Sequence, residues 1–127
     1  MPDTRTPEAR PPLTTPVFHI LLALADQERH GYGIILDIAS RTDGRVRVGT
    51  GTLYTALKRL LDEGLVTESA GRPAPDLDDE RRRYYRLTPA GRAALAAEAR
   101  RLESLVTMAR ERRVLPRTAP AGGRRGR

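Results

Sequence analysis

The chain has 127 residues and a formal net charge of +7, enough for one small domain, with a balance that favours phosphate or acidic partners. It has no cysteine, which excludes disulfides, thiolate nucleophiles and cysteine-ligated zinc, and which fits a reducing, cytoplasmic setting. The longest apolar run, around Val17 to Ala25, is too short to span a bilayer, and the opening MPDTRTPEARPP holds no apolar signal core.

Residues 1–12 are Pro-rich and polar, and residues 114–127 are rich in Pro, Gly and Arg with little to bury, so both ends are expected to be disordered. From Thr15 the run TPVFHILLALADQ combines a Thr cap, a Pro at the first helical position and apolar residues nearly all round, which predicts a helix buried on more than one side. HGYGIILDIASRT follows as a second helix, with Ile34, Ile35 and Ile38 toward a core and TDG as its stop. His30, Gly31 and Tyr32 read as a capping turn. His19 reads as a packed or interface residue, and neither histidine has the partners that catalysis or a metal site requires. Val46 and Val48 alternate with Arg45 and Arg47, a pattern for a very short strand.

GTGTLYTALKRLLDEGLV, Gly49 to Val66, carries the functional signal. Leu53, Leu57, Leu60 and Leu61 recur three and four apart and mark a buried face. Thr52, Thr55, Lys58, Arg59 and Asp62 face away. Gly49, Thr50 and Gly51 mark the start, where a threonine can cap free amides, and Gly64 stands where a helix usually stops. LVTES and RRRYYRL then read as two strands of a hairpin, joined by the loop GRPAPDLDDE, with Tyr85 and Leu87 on one face of the second strand and Tyr84 and Arg86 on the other. Thr88 caps a last helix with Pro89 at its first position, running to about Arg113.

This order of elements predicts an α+β, mainly helical fold: a winged helix-turn-helix over residues 13–88, followed by a long C-terminal dimerisation helix over 89–113. In that arrangement the third helix enters the major groove of DNA and the hairpin, or wing, touches the adjacent backbone. Thr52, Thr55 and Lys58 are then placed to reach base edges or phosphate, joined by Arg59, which could instead pair with Asp62 or Glu63. Thr52 could instead cap the helix start. Tyr54 can put its hydroxyl on a phosphate or pack wholly within the domain. Arg72, Arg81, Arg82 and Arg83 on the wing are candidate phosphate ligands, or neutralise the acidic insert Asp76, Asp78, Asp79 and Glu80. The last helix carries an apolar seam of Leu95, Ala99, Leu102, Val106 and Ala109, flanked by Glu98, Arg100, Arg101 and Glu103. Packed against Val17, Phe18 and Leu21 of a second copy, it would form a two-fold dimer whose recognition helices lie about one DNA turn, roughly 34 Å, apart.

Three motifs resemble those of the PadR family of transcriptional regulators, over roughly Leu13 to Leu105: HGYGIILDIA at His30 to Ala39, GTLYTALKRLLDEGLV at Gly51 to Val66, and RRYYRLTPAGRAAL at Arg82 to Leu95. The resemblance implies a homodimeric repressor that binds a near-palindromic operator in double-stranded DNA, belongs to the shorter subgroup with a single C-terminal helix, and is relieved by a small molecule. Helix faces suggest a dimer-interface cavity for an apolar effector, lined by Val17, Phe18, Leu21, Leu102 and Val106. The chain has no Trp, so an effector pocket built on paired tryptophans is absent. The alternative is an interaction module that docks a partner protein through the wing and long helix, with residual DNA affinity. An enzyme is not expected: there is no thiol, no nucleotide-binding glycine loop, no zinc motif and no Ser, His and carboxylate set, so neither cofactor nor metal is assigned.

Overall fold

The computed structural model describes residues 10–69 and 83–116. The elements run α1 (Thr15–Ala23), β1 (Arg29–His30), α2 (Gly31–Arg41), α3 (Thr50–Asp62), β2 (Val66–Ser69), β3 (Tyr84–Leu87) and α4 (Pro89–Glu111). Three strands form one antiparallel sheet in the order β1-β3-β2, with Val66 opposite Leu87 and His30 opposite Tyr84. This is the winged helix-turn-helix expected, with a long terminal helix. No described helix is long and apolar enough to cross a membrane.

Each helix begins and ends for a local reason. Thr14, one residue earlier than expected, caps α1 by accepting the Val17 N–H at 3.3 Å, because two adjacent threonines offer the same cap and spacing does not choose between them. The helix stops at Ala23, short of the predicted run, and its free carbonyls are taken by arginines from elsewhere: Arg29 Nε donates to Ala23 at 2.7 Å and Arg92 Nη2 to Ala25 at 2.7 Å. Arg29 also reaches Asp26 and Asp37, both at 3.4 Å. At α2 the cap is His30, whose Nδ1 accepts the Gly33 N–H at 3.0 Å. Asp43 (φ 53°) and Gly44 (φ 76°) end that helix in the left-handed region, with Gly44 N–H donating to the Ala39 carbonyl.

The strand expected at Val46 and Val48 does not form. The alternation is real as burial, since Val48 is buried and Val46 packs against the core, but Val46 N–H goes to Thr42 Oγ1 at 3.1 Å instead of to a neighbouring strand. The third strand is β1, ahead of α2. Its two residues are too few to show a period.

Ile20, Leu21, Leu24, Ile34, Ile38, Leu53, Leu57, Leu60, Leu65 and Tyr85 form the centre of the core. Each fully buried Leu or Ile contributes about 1.5–3 kcal/mol relative to exposure. At the end of α3, Gly64 (φ 76°) closes a Schellman turn: Leu65 N–H donates to Leu60 and Gly64 N–H to Leu61. The same turn receives the start of α4. Thr88 Oγ1 donates to the Gly64 carbonyl at 2.6 Å, Thr88 N–H donates to the Leu65 carbonyl at 3.1 Å, and Thr88 Oγ1 accepts the Gly91 N–H at 3.0 Å. A Cβ on Gly91 would stand 1.9 Å from the Leu65 carbonyl oxygen. The GLV and LTPAG segments are thus two halves of one contact.

Along α4, burial ends at Glu98, and every residue from Ala99 to Met108 is exposed. One sequence expectation changes here: Glu98, placed on the flank of the seam, is buried, whereas the seam residues Ala99, Leu102 and Val106 are exposed in the protomer. Glu98 accepts the Leu13 N–H at 3.3 Å and a two-pronged contact from Arg101, with Nε to Oε1 at 3.2 Å and Nη2 to Oε2. The Arg101 hydrogen bonds, opposed by burial and helped by the Leu13 N–H, hold its carboxyl below the usual carboxylate range. A carboxyl depressed in the folded state adds stability that is present above its unfolded value near 4.5 and is lost as pH falls through the lower folded value. Glu98→Gln should therefore narrow the gap between the melting temperatures at pH 7 and pH 3, measured by circular dichroism. An acid sensitivity equal to the parent's would show that other carboxylates carry it.

Candidate nucleic-acid interface

Helix α3 is two-faced. Leu53, Leu57 and Leu60 are buried, and Thr52, Thr55, Lys58, Arg59 and Asp62 are exposed, so the expected outward set lies together on one surface. Gly49 caps the helix without any side-chain hydrogen bond. The threonine cap expected at this end is absent, which leaves the Thr50 and Thr52 side chains uncommitted to capping and the first amides open to a ligand. Among the described residues, no atom outside the adjoining backbone comes within 4 Å of a Cβ placed on Gly49 or Gly51, which favours close approach of a backbone or phosphate there.

Lys58 makes no ion pair among the described residues. Arg59 Nε pairs with Glu63 at 3.3 Å, and its side chain is 80% exposed. A surface pair of that kind is worth at most about 1 kcal/mol and yields to a phosphate. Tyr54 is half-buried, its ring and hydroxyl lying over Gly31, where a Cβ would meet the hydroxyl oxygen at 2.3 Å. The glycine of the HGY motif is thereby accounted for: it lets α2 start against the tyrosine of α3.

Two further cations precede α3 in the chain. Arg45 and Arg47 are exposed in the turn between α2 and α3, immediately before the open end of α3. Their signal was in the sequence, because buried valines at 46 and 48 turn the intervening arginines outward. On the wing, Arg86 is exposed on β3 and Arg83 approaches Glu68 at 3.8 Å. Arg72, Arg81, Arg82 and the acidic insert lie outside the described residues. The exposed described residues of α3, of the turn before it and of the wing carry Arg45, Arg47, Lys58, Arg59, Arg83 and Arg86 against Asp43, Asp62, Glu63 and Glu68, a net positive balance suited to a polyanion. Among the described residues no cluster of His, Asp and Glu could hold a metal ion.

The second candidate surface is the outer half of α4. Leu102, Leu105, Val106 and Met108 are exposed large apolar residues, and Ala109 is half-buried. Of the other residues assigned to a pairing surface, Val17 and Phe18 are half-buried, while Leu21 (0% exposed) and Leu95 (7%) belong to the protomer's own core. Of the residues expected to line an effector cavity, Val17, Phe18, Leu21, Leu102 and Val106, Leu21 is enclosed in the protomer's own core. His19, half-buried beside the Phe18 ring with centroids 5.9 Å apart, has its pKa lowered by burial and then by Arg41.

Comparison with known proteins accounts for these features together. Residues 20–97 match the family model described as "Transcriptional regulator PadR-like family". "Transcriptional regulator Rv3488" from Mycobacterium tuberculosis (strain ATCC 25618 / H37Rv) is 41% identical over 87 residues, which are 68% of this chain and 75% of that protein. A transcriptional regulator from Clostridium thermocellum superposes with a TM-score of 0.62 at 28% identity, covering 78% of this chain and 92% of that one. Bacillus subtilis PadR in complex with operator DNA shares the fold, with a TM-score of 0.58 at 21% identity over 80% of this chain and 64% of that one. On the match over residues 20–97 and the relative at 41% identity, the chain belongs to the PadR-like family of transcriptional regulators.

Proposed function

We propose that the chain acts as a homodimeric repressor that reads a near-palindromic operator with α3 and holds the flanking backbone with the wing. The observation that carries this reading is the outward face of α3, where two hydroxyls and two cations stand beside an uncapped helix start and the arginines of the preceding turn. Hydroxyls and Lys58 suit base edges; Arg45, Arg47 and Arg59 suit phosphates, joined by Arg83 and, from their place in the sequence, by Arg72, Arg81 and Arg82. Thr52, Thr55 and Lys58 come first, and Tyr54 serves chiefly to seat α3 on α2. Bacillus subtilis PadR, which shares the fold, is solved in complex with operator DNA, and this supports DNA as the partner.

Two copies pair in this reading through the exposed half of α4 and the partly covered Val17 and Phe18 of α1. A small apolar effector bound between these surfaces would change the separation of the two recognition helices and so release the operator.

Selection of bound sequences from random duplex DNA tests specificity and half-site spacing at once, and recovery of two related half-sites about one turn apart is expected. Lys58→Ala should weaken binding to the selected duplex by about 10-fold, within the ~1–3 kcal/mol of one good contact, measured by fluorescence anisotropy at fixed salt. If Lys58 meets phosphate instead, the slope of log affinity against log salt shrinks by about one. Parent-like affinity and slope together would remove Lys58 from the interface.

A further inference from the structure

Glu98 is the one charged side chain buried among the described residues. It sits on the face of α4 that runs on into Leu102, Leu105 and Val106, where an apolar residue would have continued the stripe. A carboxylate there carries a desolvation cost that an apolar side chain avoids. What it adds is direction: hydrogen bonds fix an angle, whereas apolar contacts slide. Its three donors come from two places. Leu13 N–H lies just ahead of the Thr14 cap of α1, and Arg101 lies one turn further along α4.

Glu98 is also the last buried residue of α4 before the exposed stretch. From Ala99 to Glu111 the helix extends about 20 Å beyond this joint, at about 1.5 Å per residue. A tilt of roughly 10° at the joint displaces the far end by about 3.4 Å, close to the rise of one base pair on a duplex of 34–36 Å per turn.

We infer that Glu98 is a positioning residue for operator recognition: Arg101, on the same helix, holds its carboxylate in place, and the Leu13 N–H that it accepts across the joint sets the angle at which α4 leaves the domain, and so the half-site spacing that a pair of copies accepts. This rests on the reading that copies pair through α4. It concerns the geometry of that pair and not its existence.

The test uses the full chain and duplexes carrying the two selected half-sites, with their separation varied one base pair at a time, alongside a duplex with one half-site. Glu98→Gln and Arg101→Met are compared with the parent, and Asp26→Asn, exposed beyond the end of α1 and away from both proposed surfaces, serves as control. Sedimentation is expected to give the parent's dimer and the single half-site to bind within about two-fold of the parent. At the optimal spacing, affinity should fall about ten-fold, with little change at one or two base pairs either side, so that the spacing profile flattens in both variants and not in the control. A profile parallel to the parent's in either folded variant overturns the inference, as does a uniform loss at all spacings that follows a loss of fold. A parent that sediments as a monomer or shows no preferred spacing brings down the pairing reading itself, and that failure is seen before any variant is made.

Discussion

Gly91→Ala is expected to lower the melting temperature by some 12–24 °C, from a loss of about 3 kcal/mol at 4–8 °C per kcal/mol for a domain of this size. The sign is informative because the usual effect runs the other way. Replacing glycine by alanine inside a helix normally stabilises it by up to about 1 kcal/mol. Here the added Cβ stands 1.9 Å from the Leu65 carbonyl oxygen, and that oxygen already accepts the Thr88 N–H at 3.1 Å. Neither atom is the end of a flexible side chain, so relief requires the start of α4 to lift off the α3–β2 turn. Lifting it also lengthens the 2.6 Å bond from Thr88 Oγ1 to Gly64. Thermal unfolding followed by circular dichroism decides the matter. A melting temperature at or above the parent's would show that helix propensity wins and that the contact is loose in solution.

Charging the outer half of α4 is expected to have the second large effect. Leu102→Glu with Val106→Glu places two carboxylates on a stripe whose large apolar members are already exposed in the protomer, so the protomer's own core keeps every contact. If copies pair there, the variant sediments as a monomer at micromolar concentration, because like charges would be buried without partners across a two-fold axis. Operator affinity should then fall by 100-fold or more, since linked half-sites lose their shared effective concentration. Binding to an isolated half-site should change little. A double variant that remains dimeric would move the pairing surface away from α4.

The sequence was most readable where a period is long enough to repeat. In α3 the leucines at 53, 57 and 60 define the buried side, so the outward set of Thr52, Thr55, Lys58 and Arg59 follows from geometry alone. The caps at His30 and Thr88 and the glycine stop at 64 were also legible, because each uses one residue type for one backbone job. β1 was not legible: two residues carry no alternation, and its pairing with β3 depends on a partner more than fifty positions away. The Val46–Val48 segment shows the converse, a strand-like alternation whose hydrogen bonds are taken by Thr42. Glu98 was misplaced for a third reason. A charged residue beside an apolar stripe reads as its solvated edge, and the two hydrogen bonds from Arg101, with the tertiary approach of the Leu13 N–H, make the interior acceptable to it. On α3 the outward face follows from the leucine spacing, while the neighbours of Arg45 and Arg47 suggest a strand where the structure has a turn.

The junction of Gly64 and Leu65 with Thr88 and Gly91 joins the end of α3 directly to the root of α4. Along the chain those two points are separated by the whole wing; in space they are one hydrogen bond apart. Additions or deletions between Ser69 and Tyr84 therefore leave the two helices in their mutual orientation, provided the β2–β3 ladder keeps its register. Residues 70–82 can therefore change in number and in charge while α3 and α4 stay set against each other by this one joint.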